Sequence, residues 1–417
     1  MKSIILTIAS LLIAATVGAQ QLPQVAPEKV GLSSSQLDLA DNAIEDAVAR
    51  GEIPGAVLAV VRHGKIARLK AYGNRQLVPE TVRMTENTIF DLASCTKPLA
   101  TATSILILVE RGKLRLIDAV SDYIPDFENW SSPDGHKHTI RIIDLMTHTS
   151  GLPAYVSEER LQQDFGEASG RTLMQYICSC TRLFEPETDF RYSCLNYITL
   201  QQIVEQVSGM SLREFARQNI FAPLGMNHTD YIPCRYDADS DRIRVADLPC
   251  WADSEPAWNA RIAPAEKLEN GQLLCGINHD PLARDLLGGV SGNAGLFSTA
   301  DDIALFCTML LEGGCHDGVR ILSPLAVQTM CREPRATRGL RRTPGWDIGT
   351  AYGSCCGDLF SDDTFSHTGS TGTSIVIDPD NDIAVILLTN CVHPAAGHSV
   401  VHLRSLVANT VAAAVTD

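Results

Sequence analysis

Two pairs of apolar runs with the spacing of strands frame this chain. Residues 55–61 are continuously apolar, the pattern of a strand buried on both faces. Arg62-His63-Gly64-Lys65 reads as a turn, and residues 66–72 return as the second arm of a hairpin. Far along the chain the pattern recurs at 374–378 and 383–388, joined through Pro379-Asp380-Asn381-Asp382. Between the pairs the apolar period is mostly helical. Residues 99–111 form a helix after a short strand at 88–90, with Gly112 as its stop. Further helices are predicted at 140–147, 173–179, 197–207, 212–221, 303–311 and 398–414. Strands at both ends with helices between predict an α/β (α+β) chain: residues 20–125 and 285–417 build an antiparallel sheet flanked by helices, and 126–284 form a mostly helical insertion.

Charge narrows the function. The net charge of −15 excludes a partner that needs a cationic surface, such as nucleic acid or an anionic membrane. At the N-terminal end, Lys2, an apolar run over 4–17 and the small residues Val17-Gly18-Ala19 have the form of a secretory signal at 1–19. The run is short for a membrane span and no second one follows, so the mature protein is expected to be exported, periplasmic or secreted, and free of a span. Thirteen cysteines would suit disulfides there. Yet no Cys-x-x-Cys occurs and the thiols sit in apolar segments, as small buried hydrophobes do, so mostly free thiols are expected.

The chemistry gathers at Asp91-Leu92-Ala93-Ser94-Cys95-Thr96-Lys97-Pro98. Ser94 falls at or just before a helix N-terminus and Lys97 one turn on, on the same face; Pro98 is tolerated only in that first turn. A lysine so placed can take the hydroxyl proton, while free N–H groups favour an oxyanion. Alone, the pair reads far more readily as a capping serine beside an exposed lysine. Two other stretches add to it. Phe190-Arg191-Tyr192-Ser193-Cys194 sets a tyrosine at a loop-to-helix junction, where a phenol with a lowered pKa could relay protons. Phe365-Ser366-His367-Thr368-Gly369-Ser370-Thr371-Gly372 precedes the closing strands, and its small residues let an edge strand approach a substrate.

In this order the three stretches resemble the serine β-lactamase and penicillin-binding protein superfamily, nearest its branch of class C β-lactamases, D-alanyl-D-alanine carboxypeptidases and family VIII esterases. That family carries Ser-x-x-Lys, then Tyr-x-Asn, then Lys-Thr-Gly or His-Thr-Gly before a hairpin. Asp144-Leu145-Met146-Thr147-His148-Thr149-Ser150-Gly151-Leu152 and Leu287-Gly288-Gly289-Val290-Ser291-Gly292-Asn293-Ala294-Gly295-Leu296-Phe297-Ser298-Thr299 look like it too, and the resemblance runs over about residues 30–406. It implies a β-lactamase-like fold with Ser94 as the acylated nucleophile, Lys97 as its base and Tyr192 as proton shuttle. It further implies an oxyanion hole from the N–H groups of Ser94 and Ser370, with His367, Thr368 and Gly369 along the substrate. Two positions depart from the pattern. Cys194 stands where the family has asparagine, and a thiol replaces an amide's two-way hydrogen bonding poorly. His367 stands where penicillin-active members keep a lysine, and a histidine is mostly neutral at pH 7.

The resulting expectation is a cofactor-free and metal-free serine hydrolase or acyltransferase acting on a small-molecule ester or related acyl donor, with water or an alcohol as acceptor. A D-alanyl-D-alanine carboxypeptidase or weak β-lactamase is the alternative within the fold, and a non-catalytic sensor the alternative outside catalysis. His398 and His402, four apart on the expected last helix, lack a third metal ligand. There is no Gly-x-Ser-x-Gly elbow. Trp251 and Trp258 either line an apolar cleft or pack in a lid.

Overall fold

The computed structural model describes residues 21–255, 257–350 and 355–417 and is built around the strand Gly55–Arg62, every residue of which is buried. The signal expected at 1–19 lies outside the described residues. Gly55–Arg62 pairs antiparallel on one side with Lys65–Gln76 and on the other with Ile383–Thr389. The full sheet runs Phe365–Thr368, Ser374–Asp378, Ile383–Thr389, Gly55–Arg62, Lys65–Gln76, Val82–Arg83. Its central strand and its C-terminal strands thus come from opposite ends of the sequence.

Strand alternation divides two cores between the faces of this sheet. Val57, Ala59 and Val61, with Ile375, Ile377, Ala384, Ile386 and Leu388, face the larger one. There they meet the helices that follow Ser94, Cys194–Ser208 and Ala300–Leu311. Ala56, Leu58 and Val60, with Val376, Val385 and Leu387, face the other core, closed by Ser34–Ala49 and Val401–Ala412. Each fully buried aliphatic side chain contributes roughly 1.5–3 kcal/mol relative to exposure, so the alternation fixes the register firmly.

The helices of the central region are Ile142–Met146, Glu158–Phe165, Gly170–Ser179, Cys194–Ser208, and Leu212–Ala216 continuing to Phe221. Beyond them the region is less helical than its composition predicts. Cys234–Asp237 and Arg242–Val245 form a hairpin, followed by a long irregular stretch up to the helical turn Leu282–Leu286. The strand expected at 88–90 is Phe90–Asp91, and it joins a separate small sheet with Leu296–Ser298 at its centre and Asp230–Tyr231 on the far side. That small sheet carries the chain directly into Ser94.

Three expectations change. The last helix is Val401–Ala412, so exposed His398 lies off the helix and the pair with His402 loses its geometry. Trp251 is buried with Ile89, Ile232, Ile262 and Phe297 in a small core of its own, its indole N–H bonded to the Trp258 carbonyl at 3.0 Å. The cavity it lines, about 640 Å³, is shared with Phe221, Met226 and His228 rather than with Ser94. The helix Ser34–Ala49 went unpredicted, although Ser33 caps it and Leu37, Ala40, Ile44 and Ala47 carry its period. All thirteen cysteines are free thiols, six of them buried. Among the described residues no helix is long and apolar enough to cross a membrane.

Candidate active site

Ser94 sits in a tight turn, Ala93–Cys95, that leads into a wide helical turn at Lys97–Ala102 and then the helix Thr103–Glu110. Pro98 is in the first turn, where its missing N–H leaves no hydrogen bond unmade. Ala93 holds a left-handed backbone at φ 46°, costly for a residue with a Cβ. Asp91 stabilises the corner: Oδ1 accepts from the Ala93 N–H at 2.9 Å and Oδ2 from the His279 N–H at 2.7 Å.

The turn after Phe365–Thr368 is stitched onto the same corner. Thr371 Oγ1 donates to the Asp91 carbonyl (2.8 Å) and Thr373 Oγ1 to the Leu92 carbonyl (3.0 Å). Gly369 permits this approach, since a Cβ there would lie 2.2 Å from Thr373 Oγ1 and 2.5 Å from the Leu92 carbonyl oxygen. Within the turn the Gly372 N–H bonds the Gly369 carbonyl, and the Gly369 N–H bonds the Thr373 carbonyl. Ser370 is exposed at the apex, and its N–H takes no part in those turn bonds.

Lys97 is fully buried, and its Nζ meets three groups: Ser94 Oγ at 3.0 Å, the Asn293 carbonyl at 3.0 Å and Cys194 Sγ at 3.6 Å. Among the described residues it makes no ion pair. Nζ also lies 4.9 Å from the centre of the Tyr192 ring. Tyr192 hydrogen-bonds Ser94, and its phenol is held well above its usual pKa by burial and then by the neighbouring Cys194. The condition set from sequence for a relay, a lowered phenol pKa, is not met: Tyr192 is a neutral hydroxyl, able to donate and accept. Cys194 is half-buried at the start of the helix Cys194–Ser208, and burial raises its pKa, so it too is a neutral thiol.

His367 is buried. Its Nδ1–H donates to the Thr368 carbonyl at 3.0 Å, leaving Nε2 without a partner. Burial first, then the charges of Arg342 and Lys97, pull its pKa well below the usual value. The imidazole is neutral, so no cation stands at this position. The structure thus brings Ser94, Lys97, Tyr192, Cys194, His367, Thr368, Gly369 and Ser370 around one cleft. Among the described residues no group of three or more histidines, cysteines or acids could hold a metal.

Sequence reasoning missed four neighbours. The His148 ring lies 4.5 Å from that of Tyr192. Its Nδ1 accepts from the Ser193 N–H (3.1 Å) and from Asn196 (3.3 Å). Asn196, whose Oδ1 also accepts from Ser150 Oγ, is therefore committed to His148 and cannot stand in for the amide missing at 194. Buried Arg342 pairs with Asp347 at 2.7 Å, its guanidinium 5.9 Å from the Tyr192 ring. Arg404 braces the Ser370 turn, and Asn293 receives Lys97. His148 and Asn293 lie in stretches singled out above. Arg342 left no signal, and Arg404 showed only as a charge among the apolar positions Leu403, Val407 and Val411.

The profile of the Beta-lactamase family matches residues 40–409. The chain belongs to the β-lactamase family. A protein of Escherichia coli described as "Putative D-alanyl-D-alanine carboxypeptidase" is 32% identical over 412 residues, covering 94% of this chain and 92% of the relative. Among solved structures, EstCE1, a hydrolase with promiscuous acyltransferase activity, shares the fold at a TM-score of 0.67 and 23% identity, covering 91% of this chain and 99% of its own. Unliganded simvastatin synthase from Aspergillus terreus gives 0.65 at 18% identity, with 91% and 99% covered. This β-lactamase-family member therefore shares its fold with those two solved structures and is related in sequence to the protein described as a D-alanyl-D-alanine carboxypeptidase.

Proposed function

We propose that this β-lactamase-family protein is an exported serine hydrolase or acyltransferase that takes its acyl group from small ester-type donors. The observation that carries the reading is Lys97 Nζ, buried at 3.0 Å from both Ser94 Oγ and the Asn293 carbonyl. Ser94 Oγ attacks the acyl carbonyl carbon and its proton passes to Lys97. The oxyanion forms at the N–H groups of Ser94 and Ser370. The ester C–O bond then breaks, Tyr192 protonates the departing alkoxide, and Lys97 returns a proton to Tyr192. Water or an alcohol reverses the sequence on the Ser94 ester, giving hydrolysis or transfer.

Esters are favoured over lactams and peptides because the two positions that would bind a peptide-like substrate are weakened. The thiol of Cys194 is a poor hydrogen-bonding partner for an amide, and neutral His367 supplies no charge for a carboxylate. The relative described as a D-alanyl-D-alanine carboxypeptidase supports a second reading, cell-wall peptide hydrolysis with weak β-lactam reactivity. The segment at 1–19 supports export, which the N-terminal sequence of the protein recovered outside the cytoplasm would test.

Intact-mass spectrometry separates the readings, with short-chain activated esters and a penicillin as probes and Ser94→Ala as control. A transient adduct with esters and none with penicillin is expected. A persistent penicillin adduct would move the protein to peptide chemistry, and no adduct with either would overturn catalysis by Ser94.

A further inference from the structure

The segment 278–283 is tied at both ends to the elements that carry the site. At one end the His279 N–H donates to Asp91 Oδ2 at 2.7 Å, and Asp91 Oδ1 takes the Ala93 N–H beside Ser94. At the other, the Leu282 N–H donates to the Tyr155 hydroxyl at 3.2 Å. The residue before Tyr155 is Ala154, whose carbonyl accepts the Cys194 N–H at 2.9 Å. Asp280 thus lies between the corner that carries Ser94 and the helix start that carries Cys194. Ala154 and Tyr155 are exposed, and His279 and Asp280 are half-buried, so this stretch belongs to the rim of the cleft rather than its floor.

Local hydrogen bonds fix the pose of Asp280. Its N–H donates to Asn278 Oδ1 (2.7 Å), and its own Oδ1 accepts from the Ala283 N–H (2.9 Å), as a helix-capping carboxylate does. Among the described residues Oδ2 has no hydrogen-bond partner and the carboxylate makes no ion pair. Arg284, four residues on, is committed elsewhere, to Asp285 at 2.7 Å and to the His279 carbonyl at 2.9 Å. The charge of Asp280 is felt across the rim. Burial and then Asp280 raise the Tyr155 phenol; burial also raises the Cys194 thiol, with Asp280 adding to the rise against the pull of Lys97. Across the cleft, His367 is neutral.

We propose that Asp280 is a specificity-determining residue that favours donors whose acyl group carries a cation, an ammonium or a quaternary amine. Its free Oδ2 supplies the counter-charge, and the exposed Tyr155 ring beside it supplies an aromatic surface on which such a cation can rest. The carboxylate is already ordered by its loop, so little side-chain freedom is lost when a substrate binds. An anionic acyl group meets a like charge at the same place. The inference rests on the Ser94–Lys97 reading above and names the acyl class for it.

The test compares three p-nitrophenyl esters on the full-length mature protein: γ-trimethylammoniobutyryl, its uncharged isostere with a tert-butyl group in place of the ammonium, and hemiglutaryl. Each kcat/KM is divided by that ester's rate with hydroxide, which removes intrinsic reactivity. The cationic ester is expected to exceed its isostere by about fivefold or more, with the anionic ester slowest. Asp280→Asn keeps an oxygen for the Ala283 N–H and removes only the charge, and there the ratio is expected to fall to about one. Asp280→Glu keeps the charge and should keep the preference. A ratio of about one in the parent would overturn the inference. So would a ratio unchanged in Asp280→Asn, or one lost equally in Asp280→Glu, which would tie the effect to the loop instead of the charge. The underlying reading fails by a different sign, turnover of all three esters that persists in Ser94→Ala.

Discussion

The guanidinium of Arg404 donates to the Gly369 carbonyl at 2.8 Å and, through the same nitrogen, to the Thr373 carbonyl at 2.9 Å. The last helix thereby grips both ends of the turn that presents Ser370. Arg404 is nearly buried, and burial lowers its pKa; the groups facing it are the thiols of Cys355, Cys95 and Cys391 rather than a carboxylate. Each carbonyl also accepts an N–H within the turn, so Arg404 adds a second, charged donor to both.

Arg404→Leu should therefore leave the carbonyls of Gly369 and Thr373 without this donor and loosen the turn. The expected loss of stability is about 1.5–3 kcal/mol, from the lost charge-assisted hydrogen bonds to two carbonyls that each keep one turn N–H. Urea denaturation measures it. Esterase kcat should fall as well, because the Ser370 N–H is no longer held. Unchanged stability would show that the turn is held by Thr371 and Thr373 alone.

His148 gives the acid limb of stability. Its Nδ1 accepts two hydrogen bonds, and burial, followed by the charges of Arg342, Lys97 and His367, depresses its pKa well below the ordinary 6.5. The unfolded chain thus binds a proton on falling below pH 6.5 while the folded protein does not. The stability from a neutral His148 is full above that pH and lost as pH falls through the window down to the depressed value. His367 acts with the same sign. Asp302, buried and pushed up to about 7, acts with the opposite one, stabilising the fold as pH falls from 7 toward the ordinary carboxylate range. Only a difference between variants isolates one group. His148→Asn keeps an acceptor for Ser193 and suits the left-handed backbone at φ 61°. Thermal melts from pH 8 to pH 5 should show a shallower acid loss in His148→Asn than in the parent; parallel curves would place the acid limb elsewhere.

Lys97→Ala should lower kcat/KM for an activated ester by about 10³-fold or more, with substrate binding largely intact, if Lys97 is the base for Ser94. Tyr192→Phe should cost less for a good leaving group, which needs little protonation, than for a poor one. Stopped-flow acylation with two esters of different leaving-group pKa measures both. Near-normal acylation by Lys97→Ala would remove the general-base role.

The fold was legible because strand periodicity marks residues 55–61 and 383–388, and the ordered motifs carry Ser94, Lys97 and Tyr192, which the structure brings together. What stayed hidden depends on contacts across long sequence separations. Asn293 reads as one residue in a glycine-rich loop, and its carbonyl meets Lys97 only across a sequence separation of 196 residues. The state of Tyr192 stayed open for a related reason. Its pKa follows burial, which comes from packing against His148, Phe190's neighbour Arg342 and His367, none adjacent in the motif. Ser34–Ala49 was missed despite a regular period because it lies far from any motif.

On the proposed reading, Cys194 sets substrate preference. Its thiol lies 3.6 Å from Lys97 Nζ and half-exposed to the cleft, and it can offer a substrate only a weak S–H donor. An ester acyl group asks little of this position. A peptide or lactam amide asks for both a donor and an acceptor, and its unmet groups would be desolvated on binding. Cys194→Asn should therefore raise turnover of a lactam or D-alanyl peptide relative to an activated ester by about tenfold, the worth of one hydrogen bond of roughly 1.4 kcal/mol. Neutral His367 limits the gain, since a substrate carboxylate still meets no cation there. Adding His367→Lys should extend the shift, provided the new ammonium reaches the cleft. Parallel kcat/KM measurements on nitrocefin, a D-alanyl-D-alanine peptide and an acetyl ester give the ratios. An unchanged ratio in Cys194→Asn would mean that acyl selectivity is set outside position 194.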